Sequence, residues 1–305
     1  VLSCADMVAG YKNRYILELL NIYAYFCRIN DMKPAYYIKN PAIASEEALL
    51  RLLAELEEGG IPAHRVANRT ELSALQPDML LAVGGDGTFL SAAELVADSG
   101  IPVLGVNLGR LGFLSENTPS DAARAVLEGR WSVEDRPVLS MDCPAVPRNI
   151  WPFAFNEMTL HRNGAAMLGV DVCVDGNRLP TYWADGLLVA TSSGSTAYSL
   201  SVGGPIVMPQ ARVLIISPIA PHNLNVRPII VPDSSEITLS VQSRDPSAVL
   251  TMDNRRVELS PGTAISVKVA QFSLKRVRLE KSDFIHALTG KLFWGEDMRN
   301  GSESQ

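Results

Sequence analysis

Residues 79–88 read Met79-Leu80-Leu81-Ala82-Val83-Gly84-Gly85-Asp86-Gly87-Thr88. An unbroken apolar run of this length, stopped by glycines, is the mark of a strand buried on both faces of a parallel sheet. Helical periodicity follows from about Phe89 to Ala97. A strand–loop–helix unit puts its loop at the carboxyl edge of an open α/β sheet, where ligands bind. Glycines let the backbone approach a phosphate without Cβ obstruction, and free amides at a helix start favour an anion. Gly84, Gly85, Gly87 and Thr88 are therefore candidates for a phosphate-binding loop. Asp86 adds a carboxylate able to accept a hydroxyl proton or to position Mg²⁺. The bland alternative is a tight turn that uses Gly and Asp. The run is neither a Walker A loop nor a Gly-x-Gly-x-x-Gly fingerprint, because the lysine and the spacing are absent.

Working outward, Met32 to Ile38 reads as a short strand. A helix is expected from Ser45 as N-cap, with Glu46 and Glu47 in its first turn and Leu49, Leu50, Leu53 and Leu56 on its apolar face. Gly59-Gly60 and Pro62 stop it. A short strand follows near His64–Ala67. Beyond the glycine loop come a strand at Pro102–Asn107 and a helix at Asp121–Leu127. This alternation implies a doubly wound α/β domain over residues 32–131. Short alternating segments then dominate: Val138–Asp142, Phe153–His161, Val170–Val174, Leu187–Ala190, Val213–Ser217, Glu236–Val241, Ala248–Met252 and Thr263–Val269. Turn signals such as Asp175-Gly176-Asn177 and Asp253-Asn254 separate them. Residues 132–285 are read as a β-rich sandwich, and 286–305 as a tail that can return to the first domain before a disordered end. Residues 1–31 are read as an upstream extension, from a start codon placed too early.

The chain has 305 residues, is 47% hydrophobic and carries a net charge of −6. Such a balance argues against a broad nucleic-acid footprint. Four cysteines, far apart and without Cys-x-x-Cys spacing, argue against structural zinc or a disulfide framework and suit a reducing cytoplasm. The apolar stretch Tyr15–Phe26 is too short to span a bilayer.

Three further stretches carry chemistry. Asn107-Leu108-Gly109-Arg110-Leu111-Gly112-Phe113-Leu114 follows a strand end and suggests a second loop at the same sheet edge. Asn156-Glu157 sits inside an expected strand, so its two side chains point to opposite faces. The pair is either an exposed strand end or a buried pair that needs a ligand or a network. Asp185 opens a long run through Gly194-Ser195-Thr196-Ala197-Tyr198 to Ser201, whose hydroxyls and amides suit sugar, amide or phosphate groups. Plain N-capping by Ser195 or Thr196 is its simpler reading.

Taken in order, these blocks resemble the NAD kinase family, and the similarity spans residues 80 to about 235. The Gly-Gly-Asp-Gly loop alone is shared with diacylglycerol-type lipid kinases and phosphofructokinases. The Asn107–Leu114 and Asp185–Tyr198 blocks point to NAD kinases. The resemblance implies transfer of the terminal phosphoryl group of ATP, or of polyphosphate, to the adenosine 2′-hydroxyl of NAD. A divalent cation such as Mg²⁺ would accompany ATP, with no dedicated protein metal site. Asp86 would be the general base. Asp86, Gly87, Phe113, Asn156, Glu157, Asp185, Thr196, Ala197, Tyr198 and Ser201 would contact NAD, with Phe113 against the adenine unless it is core filler. A homodimer or homotetramer in the cytoplasm is implied, with neither nucleic acid nor membrane as partner. Two departures stand out. Thr191-Ser192-Ser193-Gly194 lacks the family's proline, and Trp183 stands where many members have Arg or Lys. The rival readings are a lipid kinase and a non-catalytic NAD(P)-binding module.

Overall fold

The computed structural model describes residues 32–109 and 112–292. The extension expected at 1–31 and the polar end from 295 lie outside the described residues. The first sheet has six strands in the order His64–Arg65, Pro34–Tyr37, Met79–Val83, Val103–Val106, Leu274–Leu279, Trp131–Arg136. All neighbours are parallel except the last pair. Met79–Val83 is buried at every position, as an inner strand covered on both faces must be. Its residues alternate between two cores. Met79, Leu81 and Val83 pack with Leu49, Leu52 and Leu56 of helix Glu47–Glu58 and with Ala122 and Val126 of helix Pro119–Glu128. Leu80 and Ala82 pack on the other side with Phe89, Ala92 and Val96 of helix Asp86–Val96. Helices on both faces make the expected doubly wound domain. Each fully buried Leu contributes about 2 kcal/mol of hydrophobic burial.

Three local expectations need correction. Ser45 does not cap the first long helix. Its hydroxyl bonds to the carbonyl of Ala42 and closes the short 3₁₀ turn Pro41–Ser45, and the helix starts at Glu47. The apolar face is Leu49, Leu52 and Leu56 with Leu53 packed at its margin, while Leu50 is exposed. A helix also forms at Arg69–Leu75, where no helix is expected above. Asn68 accepts from the Glu71 amide, and the Glu71 carboxylate accepts from the Ala67 amide, a capping box that the sequence does carry.

The second half is a sandwich. One sheet runs Asn177–Arg178, Leu168–Val174, Ile237–Gln242, Ala264–Val269, Leu139–Asp142, Phe153–Ala154, with Tyr182–Ala184 also paired to Leu168–Val174. The other runs Ile229–Pro232, Val213–Ile219, Gly186–Thr191, Glu157–Arg162, Ala248–Met252, Arg255–Leu259. Their inner faces share one core, in which Val170, Leu239 and Ile265 meet Leu160, Val189 and Leu250. Alternation puts Glu157, Thr159 and His161 on the opposite face of the second sheet.

The boundaries expected at 131 and 285 do not follow the sheets. Trp131–Arg136 and Leu274–Leu279 both join the first sheet, and the helix Phe284–Leu292 lines a cleft with the helix Pro119–Glu128. The chain thus returns to its first domain at Leu274, ahead of the expected tail. Periodicity could not show this, because a strand's pattern does not name its sheet.

Candidate active site

Asp86 is the first residue of helix Asp86–Val96, which begins earlier than expected, and Gly85 precedes it in extended backbone. Gly84 adopts a φ of +146°, which glycine tolerates best. The Asp86 carboxylate turns towards the next loop of the sheet edge. Its Oδ2 accepts from the amide of Phe113 at 2.9 Å, and its Oδ1 from those of Leu114 at 3.0 Å and Ser115 at 2.9 Å. Gly112 permits this fit, since a Cβ there would stand 1.8 Å from Asp86 Oδ1. The carbonyl side of the same segment is held by cations. Arg276 donates to the Phe113 carbonyl at 3.2 Å and pairs with Glu116 at 2.6 Å. The Lys291 ammonium donates to the Gly112 carbonyl and stands 4.4 Å from the centroid of the Phe113 ring. A cleft of about 860 Å³ opens in front, with Asp86, Phe113, Glu116 and Lys291 on its wall. Phe113 is half-buried and faces the Phe284 ring at 6.3 Å, so it is not core filler.

The second group gathers on the outer face of the sandwich. Asn156 and Glu157 do not lie within one strand, because the expected Phe153–His161 segment breaks between Ala154 and Glu157. The break is filled by Asp253, whose carboxylate accepts from the amides of Phe155 at 2.8 Å, Asn156 at 2.9 Å and Glu157 at 3.3 Å. Asn156 is buried, and its Oδ1 has no hydrogen-bond partner among the described residues; neither does Glu157 Oε2. Burial, followed by the negative charge of Asp253, pushes the Glu157 carboxyl up to about 8. The Asp253 carboxyl is itself raised by burial. Tyr198 stacks on His161 at 5.7 Å between ring centroids. Burial raises the Tyr198 phenol, with Glu157 and Asp185 adding to the effect, and burial lowers His161. Asp185 pairs with Arg162 at 2.7 Å, which supplies a cation near Asp185 where Trp183 does not.

The hydroxyl-rich turn is more structural than its composition suggests. Thr191 donates to the Phe155 carbonyl, Ser192 to that of Pro209 and Ser195 to that of Val207. Gly194 lies so close to Asn156 that a Cβ would meet its carbonyl oxygen at 2.2 Å. Neither Ser195 nor Thr196 caps the following turn, Tyr198–Ser201, whose N-cap is Ala197. That leaves Thr196, Ala197 and Tyr198 half-buried and Ser201 exposed.

The expected residues therefore fall into two groups. Asp86 and Phe113 share the cleft, with Gly112 beside them, and Asn156, Glu157, Asp185 and Tyr198 line none of it. The link between them is the helix that Asp86 opens. Its Phe89 packs on Phe155 with ring centroids 5.6 Å apart, immediately before Asn156. Asp253, Arg276 and Lys291 lie outside the motifs that the sequence displays. Asp253-Asn254 does form a turn, with Asp253 at φ 49°, but nothing local says that its carboxylate crosses to Phe155. The two cations lie on the returning C-terminal segment.

Two family models match the chain: the ATP-NAD kinase N-terminal domain over residues 57–129 and the ATP-NAD kinase C-terminal domain over 155–279. The NAD kinase of Flavobacterium psychrophilum is 42% identical over 229 residues, which is 73% of this chain and 78% of that protein. The chain belongs to the NAD kinase family. The Porphyromonas gingivalis NAD kinase is 40% identical over 273 residues, 81% of this chain and 93% of that one. Among solved structures, yeast NADH kinase complexed with NADH superposes with a TM-score of 0.77 at 26% identity, covering 89% of this chain and 90% of that one. An NAD kinase from Archaeoglobus fulgidus in complex with ATP gives 0.72 at 25% identity, over 86% and 99%. Membership in this family disfavours the lipid-kinase reading.

Proposed function

We infer that the chain converts NAD to NADP by transferring the terminal phosphoryl group of ATP to the adenosine 2′-hydroxyl. The observation that carries this is the Asp86 carboxylate, fixed at the carboxyl edge of the first sheet and open to a cleft, in a chain of the NAD kinase family. An ionised carboxylate offers about four lone-pair sites. Two N–H groups occupy Oδ1 and one occupies Oδ2, so one lone pair of Oδ2 remains for the hydroxyl proton. The hydroxyl oxygen bonds to the γ-phosphorus, the bond to the β–γ bridging oxygen breaks, ADP leaves with its electron pair, and Asp86 takes the proton. Phosphoryl transfer needs little covalent help, so positioning and charge neutralisation dominate.

The amides of Gly84 and Thr88 are spent on the carbonyls of Val106 and Gly85, so those of Gly85, Asp86 and Gly87 are the ones that suit the phosphates, and Phe113 suits the adenine. Asn156, Glu157, Asp185, Thr196, Ala197, Tyr198 and Ser201 suit the remainder of the dinucleotide. The partnerless buried Asn156 Oδ1 and Glu157 Oε2 support this reading, since buried polar atoms want partners. Among the described residues no cluster of three or more His, Cys, Asp or Glu could hold a metal. Mg²⁺ that arrives with ATP needs only one or two carboxylates besides phosphate oxygens. Glu116, also on the cleft wall, fits that requirement and leaves Asp86 free for the proton, and the cation would neutralise phosphate charge there. A coupled assay for NADP with ATP-Mg²⁺ or polyphosphate as donor tests the reading. NADP formation is expected, and its absence with every donor would refute it.

A further inference from the structure

The glycine loop lacks the lysine that many phosphate-binding loops carry, and the chain as a whole is acidic. A transferring phosphoryl group nevertheless needs positive charge close by. We propose that Lys291, on the C-terminal helix, supplies that charge by binding the transferring phosphate in the cleft beside Asp86.

Geometry carries the case. Lys291 lines the same cleft as Asp86 and lies where the Gly112 carbonyl and the Phe113 ring meet. It is half-buried, and the carboxylates facing it are those of Asp86 and Glu116. Arg276, the other cation acting on it, is 7% exposed and already paired with Glu116 and Glu134. It braces the segment from beneath, whereas Lys291 stands on the open side. Arg124, Arg130 and Lys281, also on the cleft wall, face Asp121 or Glu128. An ammonium has three donors, and the Gly112 carbonyl takes one, so two remain for phosphate oxygens. The long flexible stem lets the head swing from the carbonyl to a phosphate. Burial also lowers the Lys291 ammonium from its ordinary value, a sign that water solvates it incompletely and that an anion would be welcome. Because the cation comes from near the C-terminus, no motif around Asp86 could announce it.

This proposal deepens the kinase reading and rests on it, so the test separates the two. NADP formation by the unaltered chain is measured first, and no product would sink the kinase reading itself. Lys291→Met and Lys291→Arg are then compared with it. Loss of one preorganised charge typically lowers turnover by about 10²-fold, and Lys291→Met is expected to show this in kcat with a raised KM for ATP. Its affinity for NAD by calorimetry should stay within about threefold, and Lys291→Arg should recover most of the rate. Melting temperature is recorded for both variants. The proposal is overturned if Lys291→Met keeps the parent's kcat and KM for ATP. It is equally overturned if only NAD affinity falls, or if Lys291→Arg is as slow as Lys291→Met while both melt like the parent. Those outcomes would leave the lysine a prop for Phe113.

Discussion

Asp86 and Asp253 perform the same local task in different halves of the molecule. Each carboxylate accepts three successive backbone amides, of residues 113–115 and of residues 155–157. Their surroundings diverge. Asp86 looks into a cleft and has Lys291 nearby. The Asp253 side chain is 5% exposed, lies 3.6 Å from Arg255 and shares its site with Glu157. An aspartate that clasps a loop becomes a candidate base only when a lone pair still faces a cavity. Sunk beside a second carboxylate, the same clasp is architecture.

Asp86→Asn should break the comparison most sharply. It keeps the volume, removes the proton acceptor and replaces the oxygen that accepts from the Phe113 amide by a donor, and kcat for NADP formation is expected to drop by about 10²-fold or more. NAD binding by calorimetry should persist. If the variant turned over normally, Asp86 would be no more than a second Asp253. Asp253→Ala should do the reverse. It strands three buried amides and is expected to cost about 3 kcal/mol of stability, read by urea unfolding, while an unchanged midpoint would show that the Phe155–Glu157 segment needs no clasp. The most gradual effect is a pH slope. Folded Glu157 keeps its proton up to about pH 8, whereas an ordinary glutamate loses it near 4.5. Between those values the folded state binds the extra proton, so Glu157 lowers stability as pH rises through that window, and no further above it. Glu157→Gln has no such slope. It should match the parent near pH 4.5 and exceed it by about 4–5 kcal/mol at pH 8.5. Equal stability at both values would mean that Glu157 is ionised in the fold.

The sequence was most readable where a single local pattern suffices. Met79–Val83 announced a buried strand, and the following glycines announced its loop. Asn156 and Glu157 were singled out, but the break between Ala154 and Glu157 depends on Asp253, far along the chain. The serines of 192–195 suggested ligand contacts because composition cannot separate a hydroxyl facing a sugar from one bonded to the carbonyl of Val207 or Pro209. Arg276 and Lys291 were invisible for a related reason. Their importance comes from the sheet that Leu274–Leu279 enters, and long-range pairing leaves no local trace.

That strand has a consequence for how the protein is made. Leu274–Leu279 sits between Val103–Val106 and Trp131–Arg136, so the earliest-translated sheet stays open until Leu279 has left the ribosome. Pairings so distant along the chain carry a large loop-closure penalty and slow folding. The flank of Val103–Val106 therefore lacks its strand partner until translation has passed the whole sandwich.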